Sequence, residues 1–321
     1  MPICITGAFR AGEAFWSARP NTVYVGGMSP SLPAPISLAY SVDADDAFMF
    51  HALRTGQVVE PGLAFTHRRA DTAALNQMAI DGAADVIAIS TGAYPFVAGG
   101  YQLLPHGASV GRGFGPVVVS PRPMTPAALA GRRVGVPGLT TTAWLVLRMI
   151  EPRAIPVVIP IVPFARIFEA LAGGEIDAAL LIHEGRLVYE ERALHRVVDL
   201  GVWWQEEVKL PLPLGVNVIR RALGAERIAA VSGALRRSIA WALGHRQQLV
   251  SALAAEDRGD VALARPGLID HYLSLYANAD TAEMPEDARR GVNALFARAR
   301  AAGLLAGGPG STAVTDADWA P

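Results

Sequence analysis

Apolar and polar positions alternate in short blocks along most of the chain, and the blocks predict strands and helices by turns. Residues 36–41 are an apolar run that reads as a strand, and residues 43–53 carry a helical period. Asp43, Asp45 and Asp46 fall in the first turn of that helix, where carboxylates suit the helix dipole. A second strand is expected near 58–65, then a helix over 71–81, a buried strand over 85–90 and a short helix over 91–97. The valine-rich residues 117–120 predict another strand. A new unit opens at Thr125-Pro126, an N-cap followed by proline at the first helical position. Strand 132–136, helix 140–150, strand 157–162, helix 164–172 and strand 178–183 follow. Residues 197–200 read as extended and 203–208 as helical, and Pro211-Leu212-Pro213 interrupts before a strand over 216–220. Helices over about 225–255, 267–277 and 285–302 close the pattern.

Strand–helix alternation with crossover helices predicts an α/β protein with parallel sheets. With 321 residues the chain is long enough for two lobes, each with its own core. Residues 125–214 are expected as the second lobe, inserted between 36–124 and 215–305, which together make the first. Two connections between lobes form a hinge, and a cleft between lobes is a favoured ligand site. Residues 1–35 hold Gly26-Gly27, Pro30, Pro33 and Pro35 without a sustained period, and read as a disordered extension. Residues 306–321, with Gly307-Gly308-Pro309-Gly310 near their start, read as a flexible tail.

Composition narrows the function. A net charge of −1 and a pI near 6.7 argue against a nucleic-acid partner, which needs a basic surface. The single cysteine, Cys4, leaves no intramolecular disulfide and no thiolate metal cluster. Mean hydropathy is +0.29, which raises the question of a membrane span. The longest uncharged stretch, 86–111, is broken by Gly92, Pro95, Gly99, Gly100, Pro105 and Gly107. A spanning helix wants about 20 predominantly apolar residues in a row. Ile3-Cys4-Ile5 is too short for a secretory h-region of roughly 7–15 residues. These features predict a cytoplasmic protein with a small-molecule partner and no membrane span; oligomeric state is not legible.

The strand over 178–183 ends abruptly in His183-Glu184-Gly185-Arg186. Ligands of open α/β sheets sit outside the carboxyl ends of the strands, so His183 is a candidate site residue. A strand-end histidine capped by a neighbouring carbonyl is the plainer reading. Gly107-Ala108-Ser109-Val110-Gly111 has the spacing of a nucleophile elbow, but a strand follows where that motif needs a helix. Gly111-Arg112-Gly113-Phe114-Gly115 resembles a dinucleotide fingerprint, with Pro116 in place of the third glycine and again a strand behind it. His183-Glu184 begins like a zinc-protease motif, yet Leu187 stands at the second histidine position and no other histidine lies at ligand spacing. No metal and no cofactor is expected. Gly138-Leu139-Thr140-Thr141-Thr142-Ala143 follows a strand and opens a helix, which makes either an anion site or an ordinary N-cap run.

Six strings, in register over residues 36–221, carry a resemblance to a known family. They are 46–53 (DAFMFHAL), 111–116 (GRGFGP), Pro137-Gly138 with Thr141-Thr142-Ala143, Ile182-His183-Glu184, Val198-Asp199-Leu200-Gly201 with Trp203-Trp204, and 210–215 (LPLPLG). The chain resembles the 1,4-dihydroxy-6-naphthoate synthases of the futalosine route to menaquinone. The resemblance implies a two-lobed type II periplasmic-binding-protein-like fold with a cleft between the lobes. It also implies a lyase that opens cyclic dehypoxanthine futalosine, releasing a sugar fragment and a bicyclic aromatic acid. His183 matches the family's base, and neutral imidazole suits proton abstraction near ambient pH. Thr141, Thr142 and Ala143 match the helix start expected to hold a substrate carboxylate, and Ser90 matches a serine of the opposite lobe facing the cleft.

One loop departs from the pattern. Where the family commonly has S-P-C-P-N-D-T-F, residues 41–48 read S-V-D-A-D-D-A-F, so Asp45 replaces an asparagine. An amide that donates a hydrogen bond becomes a carboxylate that, ionised, only accepts. This keeps two alternatives open: a non-enzymatic small-carboxylate binding protein of the same fold, and a related enzyme such as a chorismate dehydratase.

Overall fold

Two mixed β-sheets organise the chain, and the expected strand–helix alternation supplies most of their elements. The computed structural model describes residues 34–256, 263–305 and 317–321. All but the last two residues of the extension expected over 1–35 lie outside the described residues, as do residues 306–316 of the expected tail.

The elements run β1 (Ile36–Ser41), α1 (Ala44–Arg54), β2 (Phe65–Ala70), α2 (Thr72–Ile80), β3 (Val86–Ser90), β4 (Tyr101–Leu103), β5 (Ser109–Gly111) and β6 (Val117–Ser120). Next come β7 (Arg133–Val136), α3 (Thr142–Ile150), β8 (Ile155–Val158), α4 (Arg166–Ala172), β9 (Ala178–Leu181), β10 (His195–Asp199) and α5 (Leu200–Val208). The chain then forms β11 (Leu212–Arg220), α6 (Ala225–Gly244), α7 (Arg246–Ala254), α8 (Pro266–Tyr276), α9 (Ala279–Ala282) and α10 (Glu286–Ala301).

The first sheet has the order β2-β1-β3-β11-β4, with β5 also paired to β11; the second is β10-β6-β9-β7-β8. The strands β3, β6 and β9 are buried along their whole length, as expected of central strands covered on both faces. The sheets are mixed rather than parallel. β11 returns antiparallel beside β3, and β6 and β10 run antiparallel in the second sheet. Strand β6 lies on the N-terminal side of the boundary expected at residue 125, and it pairs in the second sheet.

Local chemistry accounts for the other differences. The second strand begins at Phe65 instead of ending there, because Gly56 and Gly62 adopt left-handed turns at φ 71° and 78°. Asp199 caps α5 by accepting from Gly201 N at 2.9 Å and Val202 N at 3.2 Å, so that helix starts earlier than the spacing suggested. Pro213 does not interrupt β11; a register shift between Pro213 and Gly215 lets the strand pass it. The helix expected over 225–255 breaks at His245 into α6 and α7. Residues 317–321, expected as part of a flexible tail, pack on the first sheet: Trp319 bridges Leu103, and Ala320 N donates to Leu103 O at 2.7 Å. No helix among the described residues is long and apolar enough to cross a membrane.

The chain passes from the first sheet to the second between β5 and β6, and back between α5 and β11. The two passages touch. A Cβ on Gly201 would lie 2.0 Å from the carbonyl of Phe114, and one on Gly115 would lie 2.7 Å from Gly201 N. Arg186 ties the same point down: its Nε donates to Gly115 O at 2.6 Å and its Nη2 pairs with Asp199 at 3.2 Å. Gly201→Ala should therefore force the two strands of the passage apart and cost roughly 1–3 kcal/mol. Denaturant unfolding checks this; an unchanged midpoint would show that the passage yields without strain.

Candidate active site

Strand β9 is too apolar to be anything but core, and its polar sequel is forced to the sheet edge. After Ile182 the chain enters a 3-10 turn, His183–Leu187, with His183 at φ 52°. A non-glycine residue in the left-handed region is uncommon and concentrates at functional sites. The turn opens into a cleft. The walls come from both sheets: Ser41, Asp43, Asp45, Ser90 and Ser109 on one side, Thr141, Thr142, Ala143, Ile182, His183 and Arg186 on the other.

All the site residues expected from the sequence, His183, Asp45, Ser90, Thr141, Thr142 and Ala143, line this one cleft. Their side chains are used in different ways. Thr141 caps α3: its hydroxyl accepts from Trp144 N at 3.2 Å and donates to Gly138 O at 2.8 Å. Thr142 Oγ1 donates to Leu214 O at 2.7 Å and accepts from Gly92 N at 2.9 Å, joining α3 to the first sheet. What α3 presents to the cleft is thus its N-terminal backbone, where free N–H groups and the dipole attract an anion. Ser90 Oγ accepts from Asn76 Nδ2 at 3.2 Å, which leaves its own proton for an acceptor.

Around His183 the structure assembles a polar cluster from four segments. Asp43 Oδ2 forms an ion pair with Nδ1, and Nε2 lies 3.0 Å from Thr72 Oγ1 at the start of α2. Tyr272 of α8 donates to Asp45 Oδ1 at 3.2 Å, and its oxygen is 3.4 Å from His183 Nδ1. Ser109 donates to Asp45 Oδ2 at 2.5 Å. Glu184 turns away from the cleft and accepts from Ala44 N at 3.0 Å, so the residue after the histidine fastens the first turn of α1. Asp43, Asp45 and His183 bring one ligand atom each within 4.8 Å of one another, a spacing that would suit a cation. In this structure Asp43 pairs with His183, and Asp45 accepts from Ser109 and Tyr272.

Charge in the cluster is not what the loop sequence suggested. Burial, followed by the Asp43 and Asp46 carboxylates, pushes Asp45 well above the usual carboxylate range, which favours its neutral, proton-bearing form. Burial, with Asp43 beside it, raises Asp46 to about 7. Burial also opposes a positive charge on His183, but the Asp43 carboxylate at Nδ1, with Asp45 and Glu184, overrides it and lifts the imidazole to about 9. That shift favours an imidazolium paired with Asp43 in the free protein, whereas proton abstraction by His183 calls for the neutral ring. Burial and the same carboxylates hold the Tyr272 phenol protonated.

Sequence reasoning missed Tyr272, Thr72, Asn76 and the role of Ser109. Tyr272 stands nearly ninety positions beyond His183 on a helix whose pattern signals only burial. Ser109 did stand out, for its glycines, and the motif it resembled belongs to a different chemistry.

The chain matches the model of the menaquinone-biosynthesis family over residues 36–301. A curated 1,4-dihydroxy-6-naphtoate synthase of Thermus thermophilus is 38% identical over 274 residues, spanning 85% of this chain and 97% of the relative. A second protein of that name, from Streptomyces coelicolor, is 35% identical over 276 residues, spanning 84% and 94%. A crystal structure of an Archaeoglobus fulgidus protein aligns with a TM-score of 0.78 at 39% identity, covering 84% of this chain and 98% of that one. The alkanesulfonate-binding protein of Xanthomonas axonopodis pv. citri aligns at 0.64 with 16% identity, covering 87% and 96%, and shares the periplasmic-binding-protein fold alone. A family match that spans both sheets and every residue of the cleft has one consequence: this chain belongs to the menaquinone-biosynthesis family.

Proposed function

We propose that the chain is a 1,4-dihydroxy-6-naphthoate synthase, a carbon–carbon lyase acting on cyclic dehypoxanthine futalosine with His183 as general base. The observation that carries this reading is the position of His183, at the end of β9 inside the cleft, in a chain 35–38% identical to curated synthases of that name. In this reading the N–H groups of Thr142 and Ala143 receive the substrate carboxylate at the start of α3, and Ser90 and Asp45 contribute from the facing wall. The division of the cleft between two lobes, 36–124 with 215–305 and 125–214, is part of the same reading, with the strand β6 assigned to the second sheet.

The chemistry needs one proton moved. Imidazole takes a proton from the carbon beside an electron-withdrawing group, the electron pair left behind forms a ring double bond as the bond to the sugar fragment breaks, and the departing fragment takes up the proton. The ring system that remains becomes aromatic, which supplies much of the driving force. Nothing in that step calls for a redox cofactor or a metal, and a cytoplasmic location is consistent with it.

The direct test is to incubate the purified protein with cyclic dehypoxanthine futalosine and follow 1,4-dihydroxy-6-naphthoate by chromatography. Product is expected, and His183→Ala should lower kcat by about 10²-fold to 10⁴-fold while leaving the circular dichroism spectrum unchanged. Substrate bound by the folded protein and recovered intact would replace the lyase with a binding protein. Ser90→Ala should raise KM about tenfold and leave kcat within a few-fold, since it removes one hydrogen bond to bound substrate. A KM that does not move would take Ser90 out of the binding site.

A further inference from the structure

The first helix of the chain is capped in an unusual way, and the reason lies across the cleft. Asp43 occupies the N-cap of α1, a place where aspartate ordinarily accepts from the second or third backbone N–H of the helix. Its side chain makes no such bond. The N–H of Ala44 is taken by Glu184 Oε1 from the other side of the cleft, and the Asp43 carboxylate is directed instead at His183 Nδ1. Asp43 is 2% exposed, and its loop is held by Arg69, whose Nη2 donates to Val42 O at 2.8 Å. The phenol of Tyr272 is farther from Nδ1, at 3.4 Å, and its proton goes to Asp45. Nε2 is left beside Thr72 Oγ1 at 3.0 Å, in the wall of the cleft.

We propose that Asp43 is the positioning residue of His183: its carboxylate accepts the Nδ1 proton and fixes the ring so that Nε2 meets the substrate. The inference rests on the reading of His183 as base. It follows the general logic of a carboxylate behind an imidazole, which selects one tautomer and stabilises the imidazolium once Nε2 has taken its proton. Among the described residues, the groups facing the ring are Asp43, Asp45 and Asp46 from the loop and α1, Glu184 in its own turn, Tyr272 from α8 and Thr72 from α2. Arg186 is engaged with Asp199 and Gly115 O. Among the acids around the ring, Asp43 is the one in direct contact with a ring nitrogen. The base is the neutral ring, so kcat/KM should climb about tenfold per pH unit on the acid side of its midpoint at about 9.

The test is a ¹⁵N-histidine NMR titration of the full chain without substrate, with the His183 signals assigned by their loss in His183→Gln. In the wild type, Nδ1 should stay protonated throughout and Nε2 should titrate near 9. In Asp43→Asn the midpoint should fall toward the ordinary 6.5, and the acid limb of kcat/KM should move with it. Asp43→Glu, which keeps the charge, should retain an alkaline midpoint, and Asp43→Ser gives the same reading as the asparagine variant should that one not fold. An unchanged midpoint and tautomer in Asp43→Asn and Asp43→Ser would overturn the proposal. Because the titration needs no substrate, it decides the role of Asp43 even if the protein forms no naphthoate.

Discussion

The ion pair between Asp43 and His183 is the contact on which the rest of the cleft depends. It joins the N-cap of α1 in the first sheet's layer to the end of β9 in the second, with Asp43 buried and His183 mostly so, its side chain 15% exposed. A buried charge without a partner is expensive, and removing either member would strand the other. The pair therefore constrains where the two sheets can sit. The hydrogen bond from Ala44 N to Glu184 and the Arg186 clamp on Gly115 O and Asp199 act on the same short turn, so His183, Glu184 and Arg186 each hold a contact just after one apolar strand.

Burial also governs how charge is distributed around that pair. Four carboxylates, those of Asp43, Asp45, Asp46 and Glu184, converge within a few residues of one imidazole. They cannot all be ionised in a poorly hydrated site, and the one lacking a cation or a backbone donor, Asp45, yields first. Asp46 has the Ser41 N–H at 2.6 Å and Asp43 has the imidazolium, which lets those two hold charge more readily. Burial therefore shifts Asp45 toward its neutral form and lessens the negative charge of that wall.

Most of the fold was legible in the pattern of side chains, for identifiable reasons. Apolar runs such as 86–89, 117–119 and 178–181 have no polar side chain to satisfy outside a sheet, so each predicted its strand. Errors fell where turn chemistry outweighed composition. Apolar residues ahead of Phe65 sit in glycine turns, and Pro213 is accommodated by a bulge that no local pattern announces. The docked end, residues 317–321, gains its place from the edge of β4 and from Arg221, which pairs with Asp318 at 2.6 Å.

By itself the sequence determined the α/β class, the strand end that carries His183, and the helix start at Thr141, because periodicity and capping are local properties. It also determined, through six strings in register, the family to which the chain belongs. Only the tertiary structure decided which groups act on that histidine. Asp43 was legible as an acidic first turn, but its pairing with Nδ1 and the bond from Ala44 N to Glu184, 140 positions away, exist only in the folded chain. Tyr272, Thr72 and Ser109 join the cluster in the same manner, from separate elements brought together by core packing. Proton affinities follow from that assembly, since desolvation and neighbouring charge depend on distances in space that the order of residues does not contain.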